Sequence, residues 1–383
     1  MALITQVAAA DPWSTAPRVG LSGDYESNPG LRTADVASEE HVAAIFNVPV
    51  TYDVDNIECA ITGSGRIGNA TGYSSLASNY FHLDALSQFS SERSTASLQA
   101  HLARDSSLYF LGGLVNGLGV RRDTESTAGD YTYSISPRNQ LQLDASWSQV
   151  RFDQPPTLTG LLDYRYLSAG PTYAYLLTER DTLKLLGNYG HYESLNGQTK
   201  SNSENVQVAY VRQLAELWTL STSAGYSRAQ NTQTIDIFIP PFFLVPETVK
   251  SNQNGAVYSI TLTHQGDRLT LSAGISQALQ PAGFAYLLRE DGYTVSATFL
   301  QSERWDYQLS ANLQKGPVPA ISGPASSQRY FFADATANWH WRAQWVLSFH
   351  AIRVSDRYGD PAVSPASNGL RVDIIRQFLR TDL

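Results

Sequence analysis

Apolar and polar residues alternate along most of this chain in stretches long enough to name a fold. In Arg268–Leu279, Leu269, Leu271, Ala273 and Ile275 fall on one face and Thr270, Ser272, Gly274 and Ser276 on the other. A period of two over that length is a β-strand with two different environments. Such stretches come in pairs joined by short polar turns, among them Ser91-Glu92-Arg93, Pro137-Arg138-Asn139, Thr178-Glu179-Arg180, Gln265-Gly266-Asp267 and Ser302-Glu303-Arg304. Longer connections separate the pairs, Asp105–Gly129 and Gln230–Asn252 being the longest. Short turns and long loops in strict rotation predict an all-β fold: a transmembrane antiparallel β-barrel of about 18 strands, with 16 as the alternative. The turns would face the periplasm and the loops the exterior, which places the chain in a bacterial outer membrane.

The pattern predicts strands at Pro17–Glu26, His41–Asp53, Asn56–Ile67, Ser78–Ser90, Ser94–Arg104, Asp130–Ser136, Gln140–Phe152, Leu162–Leu176 and Thr182–Ser194. It continues with Asn205–Gln213, Leu217–Ala229, Gln253–His264, Arg268–Leu279, Gly292–Gln301, Trp305–Lys315, Gln328–His340, Ala343–Val354 and Asn368–Gln377. The predicted lipid face carries Leu141, Leu143, Ala145 and Trp147, then Tyr293, Val295, Ala297 and Phe299, then Trp305, Tyr307, Leu309 and Leu313. Val150 and Phe152 sit on the opposite parity, which predicts a bulge near Ser148. Tyr164 and Tyr166 disagree in the same way with Tyr173 and Tyr175, which predicts another near Pro171.

Composition fits once the alternation is taken into account. The chain of 383 residues is 42% hydrophobic, with a mean hydropathy of −0.24. Those averages look soluble because only every second residue of a barrel strand meets lipid. No run approaches the roughly 20 apolar residues of a spanning helix. A soluble sandwich is the competing architecture, but inward Asp and Arg on so many strands would be hard to pack dry. Trp and Tyr suit membrane interfaces, and the chain has 7 Trp and 21 Tyr. A net charge of −8 argues against a nucleic-acid partner.

The chain divides into residues 1–15, a residual export signal or N-terminal tail; 16–378, a single barrel; and 379–383, a short periplasmic tail. The first strand starts too early to leave room for a plug domain. The polar face supplies the lumen candidates: Asp84, His101, Asp144, Asp163, Arg165, Lys184, Arg212, Arg228, Arg268, Asp306, Asp334, His340, His350, Arg371 and Asp373. Inward aromatics are few, Tyr192 and Phe332 being the best. Within Gln230–Asn252 the apolar, proline-rich segment Ile235–Pro246 would be a liability in water. It is the candidate loop gate, through Ile235, Phe238, Pro240, Pro241, Phe242 and Phe243.

No chemistry beyond transport stands out. The histidines are scattered and Cys59 is the one cysteine, so no zinc spacing forms and neither a metal nor a cofactor is expected. Gly112, Gly113, Gly117 and Gly119 lack the strand–turn–helix setting of a phosphate loop. No specific nucleophile–base arrangement is legible, so an enzyme is not expected.

The opening stretch Val19–Leu31 (Val-Gly-Leu-Ser-Gly-Asp-Tyr-Glu-Ser-Asn-Pro-Gly-Leu) and the hairpin rhythm resemble outer-membrane barrels of the β-barrel porin 2 type, which accompany exopolysaccharide export. The resemblance implies a conduit for a secreted polysaccharide, partnered by outer-membrane lipids and a periplasmic export component. A diffusion porin for small hydrophilic solutes is the alternative, and a scaffold or adhesion barrel with a closed lumen the third reading. One departure is the C-terminus, where Phe378 lies five residues before the end of the chain, Leu383.

Overall fold

A computed structural model describes residues 12–28, 31, 36, 38–68, 79–106, 121–153, 162–239, 243–282, 286–318, 326–357 and 364–382. Its strands form one antiparallel sheet. They are β1 (Trp13–Thr15), β2 (Arg18–Glu26), β3 (Glu39–Val54), β4 (Ile57–Gly68), β5 (Tyr80–Ser90), β6 (Ser94–Ser106), β7 (Arg121–Ser136), β8 (Asn139–Phe152), β9 (Tyr164–Thr178) and β10 (Asp181–Ser194). Next come β11 (Thr199–Ala215), β12 (Trp218–Ile239), β13 (Phe243–Gln265), β14 (Leu269–Ala282), β15 (Tyr286–Ser302), β16 (Trp305–Val318), β17 (Ser326–Arg342), β18 (Trp345–Arg357), β19 (Ala366–Gln377) and β20 (Thr381–Asp382).

The long strands β2–β19 make a closed 18-strand barrel, because β19 pairs back onto β2 from Gly369↔Glu26 to Gln377↔Arg18. Closure gives every strand of the ring a partner on both sides, which is what lets strands cross a bilayer. The two short strands extend this seam: Ser14 and Thr15 pair with Asp382 and Thr381, and Trp13–Thr15 also pair with Val50–Tyr52 of β3. Asp55, with φ 43°, takes the left-handed conformation in the tight turn between β3 and β4, where a short Asp side chain is tolerated.

The alternation predicted from sequence sets the two faces. Leu21, Val42, Ile61, Phe81, Leu98, Tyr131, Leu143, Leu185, Val206, Tyr258, Tyr293, Leu309 and Leu370 are exposed on the outer face of successive parts of the ring. At the short-turn end, Trp305, Trp339 and Trp341 stack in a row, with ring centroids 5.9 Å and 6.3 Å apart. Trp13 meets Tyr52, and Trp218 meets His264, at the same end. This aromatic girdle marks the periplasmic interface. Cys59 shares the outer face with Ile57 and Ile61, its Sγ 3.3 Å from Ser87 Oγ.

Three expectations change. The ladders of β8 keep one register through Ser148, so there is no bulge there. Those of β9 also keep one register past Pro171. Val150, Phe152, Tyr164 and Tyr166 therefore point inward, and apolar side chains were assigned to lipid because the pattern offers no second apolar environment. Several expected loops are instead strand. β7 opens at Arg121, well before Asp130, and a four-residue turn with Gly197 at φ 73° joins β10 to β11. β12 and β13 continue as a two-stranded ribbon up to Ile239↔Phe243.

Candidate functional site: the lumen and its outer constriction

In a closed ring of 18 strands, β2 stands opposite β11 and β6 opposite β15, so the lumen has two facing arcs. The arc from β16 through β19 to β2–β7 carries charge. Asp306 accepts from His340 Nε2 at 2.8 Å. His350 lies 3.1 Å from Asp373, which also takes Arg371 Nε at 3.2 Å. Arg66 on β4 reaches across β3 to Asp24 on β2. Asp84 meets His101 at 2.6 Å, and Asp105 receives Arg122 Nε at 2.7 Å with His82 at 3.5 Å. Between these ion pairs lies a cavity of about 480 Å³ bordered by Asp24, Arg66, Tyr80, His82, Arg371 and Phe332. Asp373 and Ser22 border a neighbouring one of about 330 Å³.

The opposite arc is apolar and hydroxylic towards the outer mouth. Val150, Phe152, Tyr164, Tyr192, Ala229 and Leu287 form one buried cluster. Tyr164 and Tyr192 stack with centroids 5.2 Å apart. Ser201, Ser203 and Ser227 are buried beside it on the same inward parity. Tyr192 and Leu287 are both 0% exposed, so Tyr192 is sealed and offers no surface to a passing solute.

Leu287 explains that sealing. It belongs to β15, yet its neighbours belong to β8–β12. Above Tyr258↔Gln277, β13 no longer pairs with β14, and above Asp291↔Lys315, β15 no longer pairs with β16. The top of the β14–β15 hairpin, paired within itself from Ala278↔Glu290 to Ala282↔Tyr286, is thus free of the wall on both edges. It leans across the mouth and approaches β11 and β12. Gly255 on β13 makes room for it: a Cβ there would overlap the Arg289 guanidinium.

The sequence-predicted lumen residues divide accordingly. Asp84, His101, Asp144, Lys184, Asp306, Asp334, His340, His350, Arg371 and Asp373 lie on the inward parity of their strands. Arg212 and Arg228 share the face of the exposed Val206 and Val208 and so point outward, Arg212 towards Asp181 at 3.7 Å. Arg165 lies on the outward parity with Leu167 and bonds Gln149 Oε1 at 2.9 Å. Arg268 sits in the β13–β14 turn, and Asp163 precedes β9, accepting the Phe152 amide at 2.8 Å. Arg165 and Arg212 sit near strand ends, where a polar residue on the lipid side is solvated by the interface and parity alone misplaces it; Arg228 lies midway along β12, opposite Glu204.

Of the gate candidates, Ile235 and Phe238 fall on β12 and Phe243 on β13, in the ribbon above the wall; Pro240, Pro241 and Phe242 lie outside the described residues. Leu287 and Arg289, which dock the upper part of the β14–β15 hairpin against other strands, gave no signal, because alternation does not record which way a hairpin leaves the wall. Asp24, Arg66, Asp105 and Arg122 were also missed, lying near strand ends or in stretches taken for loop. Among the described residues, no group of three or more His, Cys, Asp or Glu is placed to hold a metal ion.

No family model matches the chain, and no curated protein does. Solved outer-membrane barrels are similar in architecture. OpdL of Pseudomonas aeruginosa is 11% identical, covering 96% of this chain and 99% of that one, with a TM-score of 0.47. OccAB4 of Acinetobacter baumannii is 11% identical over the same shares, with a TM-score of 0.48. The ferric citrate transporter FecA is 9% identical, covering 97% of this chain and 79% of that one, with a TM-score of 0.49. The alternating faces, the closed ring of strands and the aromatic row make this chain a transmembrane β-barrel of the outer-membrane type.

Proposed function

We propose that this barrel is a passive channel for small hydrophilic solutes across the outer membrane. The observation that carries this reading is the infolded top of the β14–β15 hairpin, anchored by the fully buried Leu287. It sets an apolar, hydroxyl-lined arc against a charged one and narrows the outer mouth, an arrangement that sieves small molecules by size and charge. A secreted polysaccharide, implied by the resemblance of the opening strand, needs a wider and continuously polar track. Single-channel recording of the purified chain in planar bilayers tests the reading. Steady conductance that small sugars leave flowing supports it. Large conductance blocked by added polysaccharide favours export instead, and silence favours a closed scaffold.

A further inference from the structure

We infer that the channel favours cationic over anionic solutes, because the middle of its lumen carries a belt of carboxylates that, among the described residues, pair with no lysine or arginine. The inference rests on the channel reading above and names its solute class.

Asp84 on β5, Asp130 on β7, Asp144 on β8 and Asp334 on β17 all lie near the middle of their strands and on the inward parity. Asp130 and Asp144 are direct cross-strand partners. Three arginines of the lumen are paired with other carboxylates: Arg66 with Asp24, Arg122 with Asp105 and Arg371 with Asp373. Each such pair is neutral as a unit. Among the described residues, the belt carboxylates have only hydroxyl or imidazole partners. Ser97 donates to Asp130, His101 lies 2.6 Å from Asp84, and Thr336 donates to Asp334 at 2.9 Å, with His350 at 3.9 Å. Of the other cations that reach the lumen, Arg18 sits at the periplasmic start of β2, Arg289 at the outer mouth against Gly255, and Lys184 on β10; Lys184 lies closest to the belt in height. It pairs with Ala174, which stands level with Gln140, nearer the periplasmic turns than Asp144.

A wall of low dielectric concentrates the field of such a belt along the pore, raising the local concentration of cations and lowering that of anions. Solutes need not bind any one carboxylate, since the effect comes from the summed charge at the height where the lumen is ringed by protein.

The test is the zero-current potential of the purified full chain in planar bilayers under a KCl gradient. It compares the intact protein with the double variant Asp130→Asn/Asp144→Asn and with Asp84→Asn. The expected result is a several-fold preference for K⁺ over Cl⁻, larger at low salt where screening is weak, and reduced in both variants. A preference for Cl⁻, no preference, or a preference unchanged in both variants overturns the inference while leaving the channel reading intact. A silent bilayer overturns the channel reading and this inference with it. Heat-modifiable migration on gels establishes that each variant is folded before it is recorded, and Asp84→Asn, on a different strand, keeps the test decisive if the double variant does not fold.

Discussion

Asp130 of β7 and Asp144 of β8 stand directly opposite each other across an antiparallel ladder, both facing the lumen. Like charges in that position are unfavourable in an ordinary sheet. A barrel tolerates them where water fills the space the side chains enter. The pair is therefore a marker of a wet interior at mid-height, while a few residues further along β8 the same face carries Val150 and Phe152 in a dry cluster.

The two faces make opposite demands on charge. Leu143 is half exposed on the outer face and Gln142 is its inward neighbour. Leu143→Arg should cost about 2–4 kcal/mol in the membrane, whereas Gln142→Arg should cost little. Reversible unfolding in urea from lipid vesicles measures both. Equal losses would remove the assignment of the outer face to lipid.

Leu287 anchors the infolded hairpin. Leu287→Ala should weaken that docking by about 2–5 kcal/mol, as for a fully buried leucine, and Leu287→Asp should release it. The expected readout is a larger single-channel conductance, together with faster amide exchange over residues 278–290. A released hairpin with unchanged conductance would show that the constriction lies elsewhere.

The β12–β13 ribbon rises beyond its neighbours: β11 pairs with β12 only as far as Gln233. Excision of residues 235–246 should therefore leave conductance as it was, the reverse of Leu287→Asp. A rise on excision would restore that segment as the gate.

Asp373 is buried and holds both Arg371 and His350. Asp373→Ala leaves the partly exposed Arg371 guanidinium without its carboxylate, which should cost about 1–3 kcal/mol. The temperature at which the folded form converts to the slower-migrating unfolded form on gels should fall. An unchanged conversion temperature would mean that water reaches Arg371 freely.

Taken alone, the amino-acid sequence determined the strands, their pairing in hairpins and most of the face assignments, because a side-chain period of two is a local property and lipid punishes any departure from it. The row Leu141, Leu143, Ala145 and Trp147 needs no partner to be recognised. What only the tertiary structure decided is what happens inside the ring. Whether Val150 and Phe152 seek lipid or an inner apolar cluster depends on Leu287, which arrives from a hairpin several strands further round the ring. Arg66 finds Asp24 only once β2–β4 are side by side. The inward lean of the β14–β15 hairpin follows from where its two neighbours stop pairing. These are relations between distant residues fixed by closure and register, and alternation within one strand carries no record of them.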